Sequence, residues 1–142
     1  MDDLERFDQT DYKHWVEDRV RFSDLDPLGH VNNKAVSEYF ENARALLFME
    51  VTPNWPKRDD LFVLAHLAID YRRELHFPSP LKIGTQVLSF GRTSMKMASA
   101  VFRDSDGIAY CESVSVLINQ KTRKPVEISH DLRKILMVYG TT

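Results

Sequence analysis

The sequence predicts an α+β fold in which one long helix packs against a mostly antiparallel sheet. Two observations support this prediction. The predicted elements follow the order of one strand, one long helix and then four strands, without the alternation of strands and helices that a doubly wound parallel sheet needs. The long helix also carries one broad apolar face, and a sheet has to cover that face to remove it from water.

The first half of the chain supplies the first strand and the helix. His14–Phe22 alternates well enough to predict a strand, and Ser23–Gly29 holds the Asp, Pro and Gly residues of a loop. The helix is predicted over Asn33–Met49, because apolar residues recur there at helical spacing. Either Asn32 or Asn33 suits its N-cap, since asparagine oxygens accept hydrogen bonds from first-turn N–H groups.

The second half is predicted to be mainly strand. The four strands are predicted at Phe62–Arg73, Thr85–Arg92, Met95–Arg103 and Ile108–Asn119. In the first of these, alternate residues from Val63 to Tyr71 are expected to share one face. Residues 76–84 are rich in turn formers and predict a connection, and Asp104–Gly107 is the strongest hairpin signal. Ser129–Tyr139 is predicted to form a short C-terminal helix, capped by Ser129.

The bulk composition is that of one globular domain of 142 residues. The formal net charge of −2 does not favour nucleic acid as a partner, and no apolar stretch is long enough to predict a membrane span. The single cysteine, Cys111, cannot form an internal disulfide, which favours a reducing, cytoplasmic location. Residues 1–12 are charged and turn-like, and a loose N-terminal arm is expected there.

The segment most suited to chemistry is Asp24-Leu-Asp-Pro-Leu-Gly-His-Val-Asn-Asn33. It places two carboxylates, an imidazole and two amides in a loop that leads into a helix N-terminus. Such a terminus has unsatisfied N–H groups and a partial positive charge, so it can stabilise an oxyanion. A carboxylate beside it could activate water or attack directly. The same residues also fit an ordinary turn, with the asparagines as caps and His30 facing solvent.

The pattern D-x-D-x-x-G-H-V-N-N, followed by E-Y-F-E-N-A-R over residues 38–44, resembles the active-site segment of hotdog-fold acyl-CoA thioesterases. Within the 4-hydroxybenzoyl-CoA thioesterase superfamily, it is most similar to the long-chain acyl-CoA thioesterase branch. The resemblance covers residues 14–128. It implies a hotdog fold, with a five-stranded antiparallel sheet wrapped around one long central helix. It also implies hydrolysis of a fatty-acyl or aryl thioester to the free acid and coenzyme A, without a cofactor.

The resemblance implies roles for four residues of the loop and helix start. Asp26, immediately before the loop proline, matches the catalytic carboxylate and would act as general base or as nucleophile. The backbone N–H near Asn33 would polarise the thioester carbonyl. His30 and Asn32 would line the site and hold the water or the carbonyl. One branch of the family has histidine at the position of Asn33, and its histidine-assisted mechanism is not expected here.

Four further residues are predicted to contact substrate. Glu41 lies on the helix, where a local ion pair with Arg44 is the simpler interpretation. Thr93 and Ser94 lie in a tight turn that the family often places near the neighbouring subunit's site. Arg72 would contact a coenzyme A phosphate, or it would be a solvated strand end. No metal site is expected, because His66 and Asp70 lack a third ligand nearby.

Two other functions stay open. His76-Phe-Pro resembles a signature of hotdog 3-hydroxyacyl-thioester dehydratases, although Leu75 replaces the glycine that normally precedes it. A non-catalytic acyl-CoA-binding domain is the second alternative. In every case a hotdog protomer leaves one sheet edge open, so a homodimer or a tetramer of dimers is expected, with sites shared between subunits.

Overall fold

The central helix, α1 (Asn33–Val51), packs across one face of a five-stranded antiparallel sheet. The computed structural model describes residues 6–52, 54 and 57–140. The strands are β1 (His14–Arg19), β2 (Asp60–Tyr71), β3 (Pro80–Phe90), β4 (Ser94–Arg103) and β5 (Asp106–Asn119). Their order in the sheet is β1-β3-β4-β5-β2, so β1 and β2 are the edge strands. The predicted α+β class and five-stranded sheet around one long helix are confirmed.

The apolar stripe of α1 supplies the main core. Val36, Phe40 and Ala43 are buried in one cluster with Ile83 and Val101 of the sheet. Further along the helix the apolar residues join a second cluster, which α2 (His130–Leu136) closes from the other side. Ser129 caps α2 as predicted, and its hydroxyl accepts a hydrogen bond from the Leu132 N–H at 3.1 Å. The helical spacing in the sequence therefore identified the face that faces the sheet.

The opposite face of the sheet is covered by the N-terminal segment. Tyr12 is 3% exposed and contacts Phe102 edge to face, with ring centroids 5.9 Å apart. Phe7 packs on the same ring, and Arg6 forms a 2.6 Å ion pair with Asp70 of β2. A loose arm was expected over residues 1–12, but residues 6–12 are packed on the sheet because their aromatic side chains have an apolar surface to cover. Residues 1–5 lie outside the described part of the chain.

β2 differs from its prediction because it contains a bulge. The pairing with β5 shifts register between Leu64 and His66, so one extra residue interrupts the alternation. Phe62 stacks on the helix at a centroid distance of 5.1 Å, whereas Val63 is 38% exposed. The face predicted to be shared from Val63 to Tyr71 is therefore divided, with residues before and after the bulge pointing to opposite sides.

The start of β3 and the end of β1 also differ from their predicted positions. Pro80–Gly84 was predicted to belong to a connection, but it pairs with β1 from Arg19 to Trp15. β3 therefore begins five residues earlier than expected. β1 ends at Arg19 instead of Phe22, because the chain turns into a 3₁₀ segment at Phe22–Asp24. The connection between β2 and β3 is accordingly shorter and contains the cis peptide bond Phe77–Pro78.

Candidate active site

The loop before α1 is closed by its own backbone. The N–H of Asp26 donates to the carbonyl of His30 at 2.8 Å, and the N–H of Gly29 donates to the carbonyl of Asp26 at 3.0 Å. Leu25 and Val31 form an antiparallel bridge at the base of the loop. Gly29 has φ of 83°, a conformation that glycine adopts without strain. The glycine thus allows the chain to reverse within the five residues that carry Asp26 and His30.

The Asp26 carboxylate stays on the inside of this turn. Its Oδ1 accepts hydrogen bonds from the N–H groups of Leu28 at 2.9 Å and His30 at 3.2 Å. The side chain borders a cavity of about 280 Å³, which His30 and Asn33 also line. The loop therefore fixes one carboxylate oxygen by hydrogen bonds from the backbone and leaves the group at the cavity wall.

The N-terminus of α1 meets the same cavity. Asn32 is the N-cap, and its Oδ1 accepts from the Lys34 N–H at 2.8 Å. Asn33 is the first helical residue, so its N–H belongs to the turn that has no acceptor within the helix. Among the residues predicted to form the site, Asp26, His30 and Asn33 line the cavity together. Asn32 is not part of the lining, because its side chain is used in the cap.

A part-buried hydrogen bond holds this loop against the helix. The Tyr39 hydroxyl donates to Oδ2 of Asp24, which also accepts from the Arg21 N–H at 2.9 Å. Burial, followed by the hydrogen bond to Asp24, raises the pKa of Tyr39 above its ordinary value. Asp24 belongs to the segment predicted to carry the chemistry, but in the fold its carboxylate anchors the loop that carries Asp26.

The far wall of the cavity comes from the end of β2 and the residues after it. Arg72, Arg73 and Glu74 line it, with Tyr71 and Leu75. Glu74 and His30 form an ion-pair contact of 3.5 Å between Oε1 and Nδ1. Of these residues, Arg72 is predicted from the sequence to contact substrate, whereas Glu74 and Tyr71 are not. Their only signal in the sequence is position, since Tyr71 ends β2 and Glu74 follows three residues later.

The two arginines connect the cavity to a second groove. Arg72 and Arg73 both line a neighbouring space of about 680 Å³, bordered by Phe7, Asp8 and the β4–β5 hairpin. Their backbone N–H groups both donate to the carbonyl of Ile108, at 2.9 and 3.1 Å. A positively charged pair therefore borders both the carboxylate site and a larger groove.

Three predicted site residues lie elsewhere in the chain. In the sheet Ser94 pairs with Val116, and Val116 pairs with Val63, so the turn is level with Val63 near the start of β2. The cavity lies at Tyr71, at the other end of β2. Eight residues of strand separate these levels, which is about 26 Å. Glu41 is exposed on α1 and is not among the cavity residues, and Thr93 lies with Ser94. Within one chain the site is thus built without the turn at Gly91–Ser94.

The dehydratase-like His76 also lies outside the cavity lining. Its ring packs edge-on against His30, with centroids 5.4 Å apart. In the described part of the chain, no group of three His, Cys, Asp or Glu residues is arranged to hold a metal ion. None of the helices that the structure describes is long and apolar enough to cross a membrane.

Comparison with known proteins identifies the family and the fold of this chain. Residues 20–136 match the sequence profile of the thioesterase-like superfamily. The uncharacterized protein YsmA of Bacillus subtilis is 27% identical over 89 residues, which span 63% of this chain and only 60% of YsmA. The PA5185 protein of Pseudomonas aeruginosa has the same fold, with a TM-score of 0.86 and 23% identity over 94% of this chain and 96% of that one.

Two solved structures are more similar in sequence. A predicted thioesterase from Bacillus stearothermophilus is 25% identical, with a TM-score of 0.84 and coverage of 89% and 96% of the two chains. A thioesterase from Thermus thermophilus, solved with coenzyme A and Zn, is 30% identical, with a TM-score of 0.81 and coverage of 90% and 94%. The profile match covers most of the chain, and the sheet order and central helix agree with it. The protein therefore belongs to the thioesterase-like superfamily and has the hotdog fold.

Proposed function

We propose that the protein is an acyl-CoA thioesterase, which hydrolyses a fatty-acyl or aryl thioester to the free acid and coenzyme A. The observation that carries this proposal is that the Asp26 carboxylate and the first turn of α1 at Asn33 border one cavity. Acyl transfer needs both groups together, because a base or nucleophile has to act where an oxyanion can be stabilised.

The reaction follows from these positions. Asp26 accepts a proton from water, and the resulting hydroxide adds to the thioester carbonyl carbon. The negative charge that forms on the carbonyl oxygen is stabilised by N–H groups of the α1 N-terminus near Asn33. The carbon–sulfur bond then breaks, sulfur keeps the electron pair, and the proton held by Asp26 returns to the thiolate. A thiol has an ordinary pKa of about 8.5, so its thiolate leaves without a strong acid.

Asp26 could instead attack the carbonyl itself, giving an acyl–Asp26 anhydride that water then hydrolyses. In the anhydride route water attacks either the Asp26 carboxyl carbon or the acyl carbon. Attack at the Asp26 carboxyl carbon leaves one ¹⁸O atom in Asp26 after a single turnover in labelled water, which the general-base route never does. Label in Asp26 therefore identifies the nucleophilic route, whereas label in the product acid alone is the result of general-base hydrolysis or of attack at the acyl carbon of the anhydride.

The arginines at the cavity mouth suit the coenzyme A portion. Arg72 and Arg73 stand between the carboxylate site and the larger groove. Guanidinium groups bind phosphate by paired, charge-assisted hydrogen bonds. The Thermus relative was solved with coenzyme A, which supports this class of ligand for the present chain. The single unpaired cysteine fits a reducing, cytoplasmic location for such an enzyme.

The proposed enzyme is a homodimer, or a tetramer built from dimers, joined through the β2 edge. Val63 and Leu64 are 38% and 46% exposed on this edge, which offers unpaired backbone groups to another strand. In this dimer the two β2 strands pair antiparallel, with Leu67 of each subunit at the centre of the register. Val63 of the partner subunit then lies opposite Tyr71. The turn with Thr93 and Ser94 is level with Val63, so each cavity would then receive that turn from the other subunit.

The test is thioester hydrolysis with a thiol-trapping reagent, on a panel of short-chain, fatty-acyl and aryl coenzyme A substrates. Asp26→Asn keeps an acceptor oxygen for the loop N–H groups, so the loop is retained. We expect its turnover to fall about 100-fold or more. Asp131→Asn, which removes an exposed carboxylate on α2, is the matched control and should leave turnover unchanged.

A non-catalytic acyl-CoA-binding domain is the second candidate. It is favoured by one observation, namely that Asp26 Oδ1 already accepts two backbone N–H groups as an ordinary turn aspartate does. Saturable binding of acyl-CoA without turnover on the whole panel would establish this candidate instead. Turnover that is equal in wild type and Asp26→Asn would contradict the role proposed for Asp26.

A further inference from the structure

The side chain of Arg44 is a buried cation that forms no ion pair with the described residues of its own chain. Arg44 is 6% exposed on α1, and its Nη1 atom has no hydrogen-bond partner in the part of the chain that the structure describes. Burial lowers the pKa of this guanidinium from its ordinary value. A charge removed from water destabilises a fold unless an opposite charge or a set of hydrogen bonds compensates it. An anion close to the Arg44 guanidinium would therefore stabilise the folded protein.

The nearest candidate in sequence does not meet that need. Glu41 lies one turn earlier on α1, where a local ion pair with Arg44 was one interpretation of the sequence. No ion pair of 4.0 Å or less joins them, or any other described carboxylate to Arg44. Glu41 is exposed and acts on Arg44 only as a more distant charge. The helix thus carries a buried cation, Arg44, and an exposed anion, Glu41, which do not form an ion pair with each other.

Both residues lie on the flank of α1 that faces the open β2 edge. That flank is identified at its two ends, since Tyr71 of β2 donates to the Asn33 carbonyl at 3.4 Å and Phe62 stacks on Phe48 at 5.1 Å. With 3.6 residues per turn, positions 33, 41, 44 and 48 fall within an arc of about 80°. Glu41 and Arg44 are midway along this flank.

A surface that carries one positive and one negative group side by side complements itself under a twofold axis. A twofold axis that pairs two β2 strands about Leu67 lies between the subunits, level with the middle of α1, because Leu67 is midway between Phe62 and Tyr71, which contact the two ends of the helix. We propose that Arg44 of each subunit forms an ion pair with Glu41 of a second copy of the chain, so that two reciprocal pairs join the α1 helices. This inference rests on the proposed dimer and is independent of the proposed hydrolysis.

The test uses charge reversal and mixing. Glu41→Arg and Arg44→Glu each place like charges opposite one another in a homodimer, so each should raise the dimer Kd about 10-fold or more. When the two variants are mixed, Arg44 meets Glu41 across one contact and the two substituted residues meet across the other. Native mass spectrometry, with one variant isotope-labelled, should therefore show a heterodimer well above the statistical proportion of one half. Pairing within one chain predicts no such complementation.

Controls keep each outcome distinct. Glu38→Arg makes the same charge change on the exposed outer side of α1 and should leave the dimer Kd unchanged. Circular dichroism checks the fold of each variant. If Arg44→Glu does not fold, Arg44→Met removes the cation without adding a buried charge and should still weaken the dimer. A wild-type monomer at all concentrations would overturn the proposed dimer together with this pair. A wild-type dimer whose charge reversals dimerise normally would overturn the Arg44–Glu41 pair alone.

Discussion

The hydroxyl of Tyr39 donates a hydrogen bond to the carboxylate of Asp24, and this contact joins the core-facing side of α1 to the loop that carries Asp26. Tyr39 is 2% exposed and Asp24 is half-buried, so the bond is partly shielded from water. Asp24 also accepts the Arg21 N–H, which fixes the entry to the loop. The orientation of the proposed catalytic carboxylate thus depends on a hydrogen bond made two residues earlier.

Tyr39→Phe should destabilise the protein by about 1–3 kcal/mol, because it leaves the Asp24 oxygen without its buried donor. Urea unfolding measures this loss. Tyr71→Phe is the matched control, since its hydroxyl contacts the Asn33 carbonyl at 3.4 Å from an exposed position. The control should change stability by about 0.5 kcal/mol or less. Equal effects of the two substitutions would mean that Tyr39 does not anchor the loop.

Asn32 tests whether a residue first assigned to the site is a helix cap. Asn32→Ala should cost about 0.5–2 kcal/mol, because the Lys34 N–H loses its acceptor. Asn32→Asp supplies an equally good cap and should restore both stability and turnover. If Asn32→Asp is stable but inactive, the Asn32 amide has a role in the reaction beyond capping.

Gly84 tests the packing of the N-terminal segment. A Cβ at this position would lie 2.7 Å from Tyr12 Cβ and 3.0 Å from Trp15 Cη2. Gly84→Ala should therefore cost about 1–3 kcal/mol in thermal or urea unfolding. Gly91→Ala is the control, because its Cβ meets only the rotatable Ser94 hydroxyl at such close range. A neutral Gly84→Ala would show that residues 6–12 do not cover this face.

Cys111 makes stability depend on pH at the alkaline end. Burial raises the pKa of its thiol from 9.0 to about 12, although Arg44 opposes the shift. The unfolded chain therefore loses this proton at a lower pH than the folded chain does. The contribution to stability is complete below pH 9.0 and is lost as the pH rises towards about 12.

Urea unfolding at pH 7, 9 and 10.5 should show this decline, and Cys111→Ala should reduce its slope. The folded protein should also resist alkylation of Cys111 at pH 8, because the thiol is buried and protonated. Rapid alkylation of the native protein would contradict the buried assignment.

The sequence by itself determined the class of the fold and the centre of the candidate site. Periodicity located α1 and its buried face, since helical spacing follows from backbone geometry alone. The run from Asp24 to Asn33 identified the loop and helix start, because Asp, Gly and Asn have strong local conformational preferences. Asp26, His30 and Asn33 come together for the same reason, as they are neighbours in one short turn.

Only the tertiary structure decided what depends on pairing between distant segments. Pro80–Gly84 forms strand because its backbone pairs with β1, and residues 6–12 pack on the sheet because they cover its outer face. Glu74 lines the cavity because it follows the end of β2, and no local sequence pattern identifies that position. The bulge at Leu64–His66 likewise follows from long-range packing, as does the burial of Arg44 Nη1 without a hydrogen-bond partner among the described residues. Local preference cannot encode these features, because their free energies belong to contacts between residues far apart in sequence.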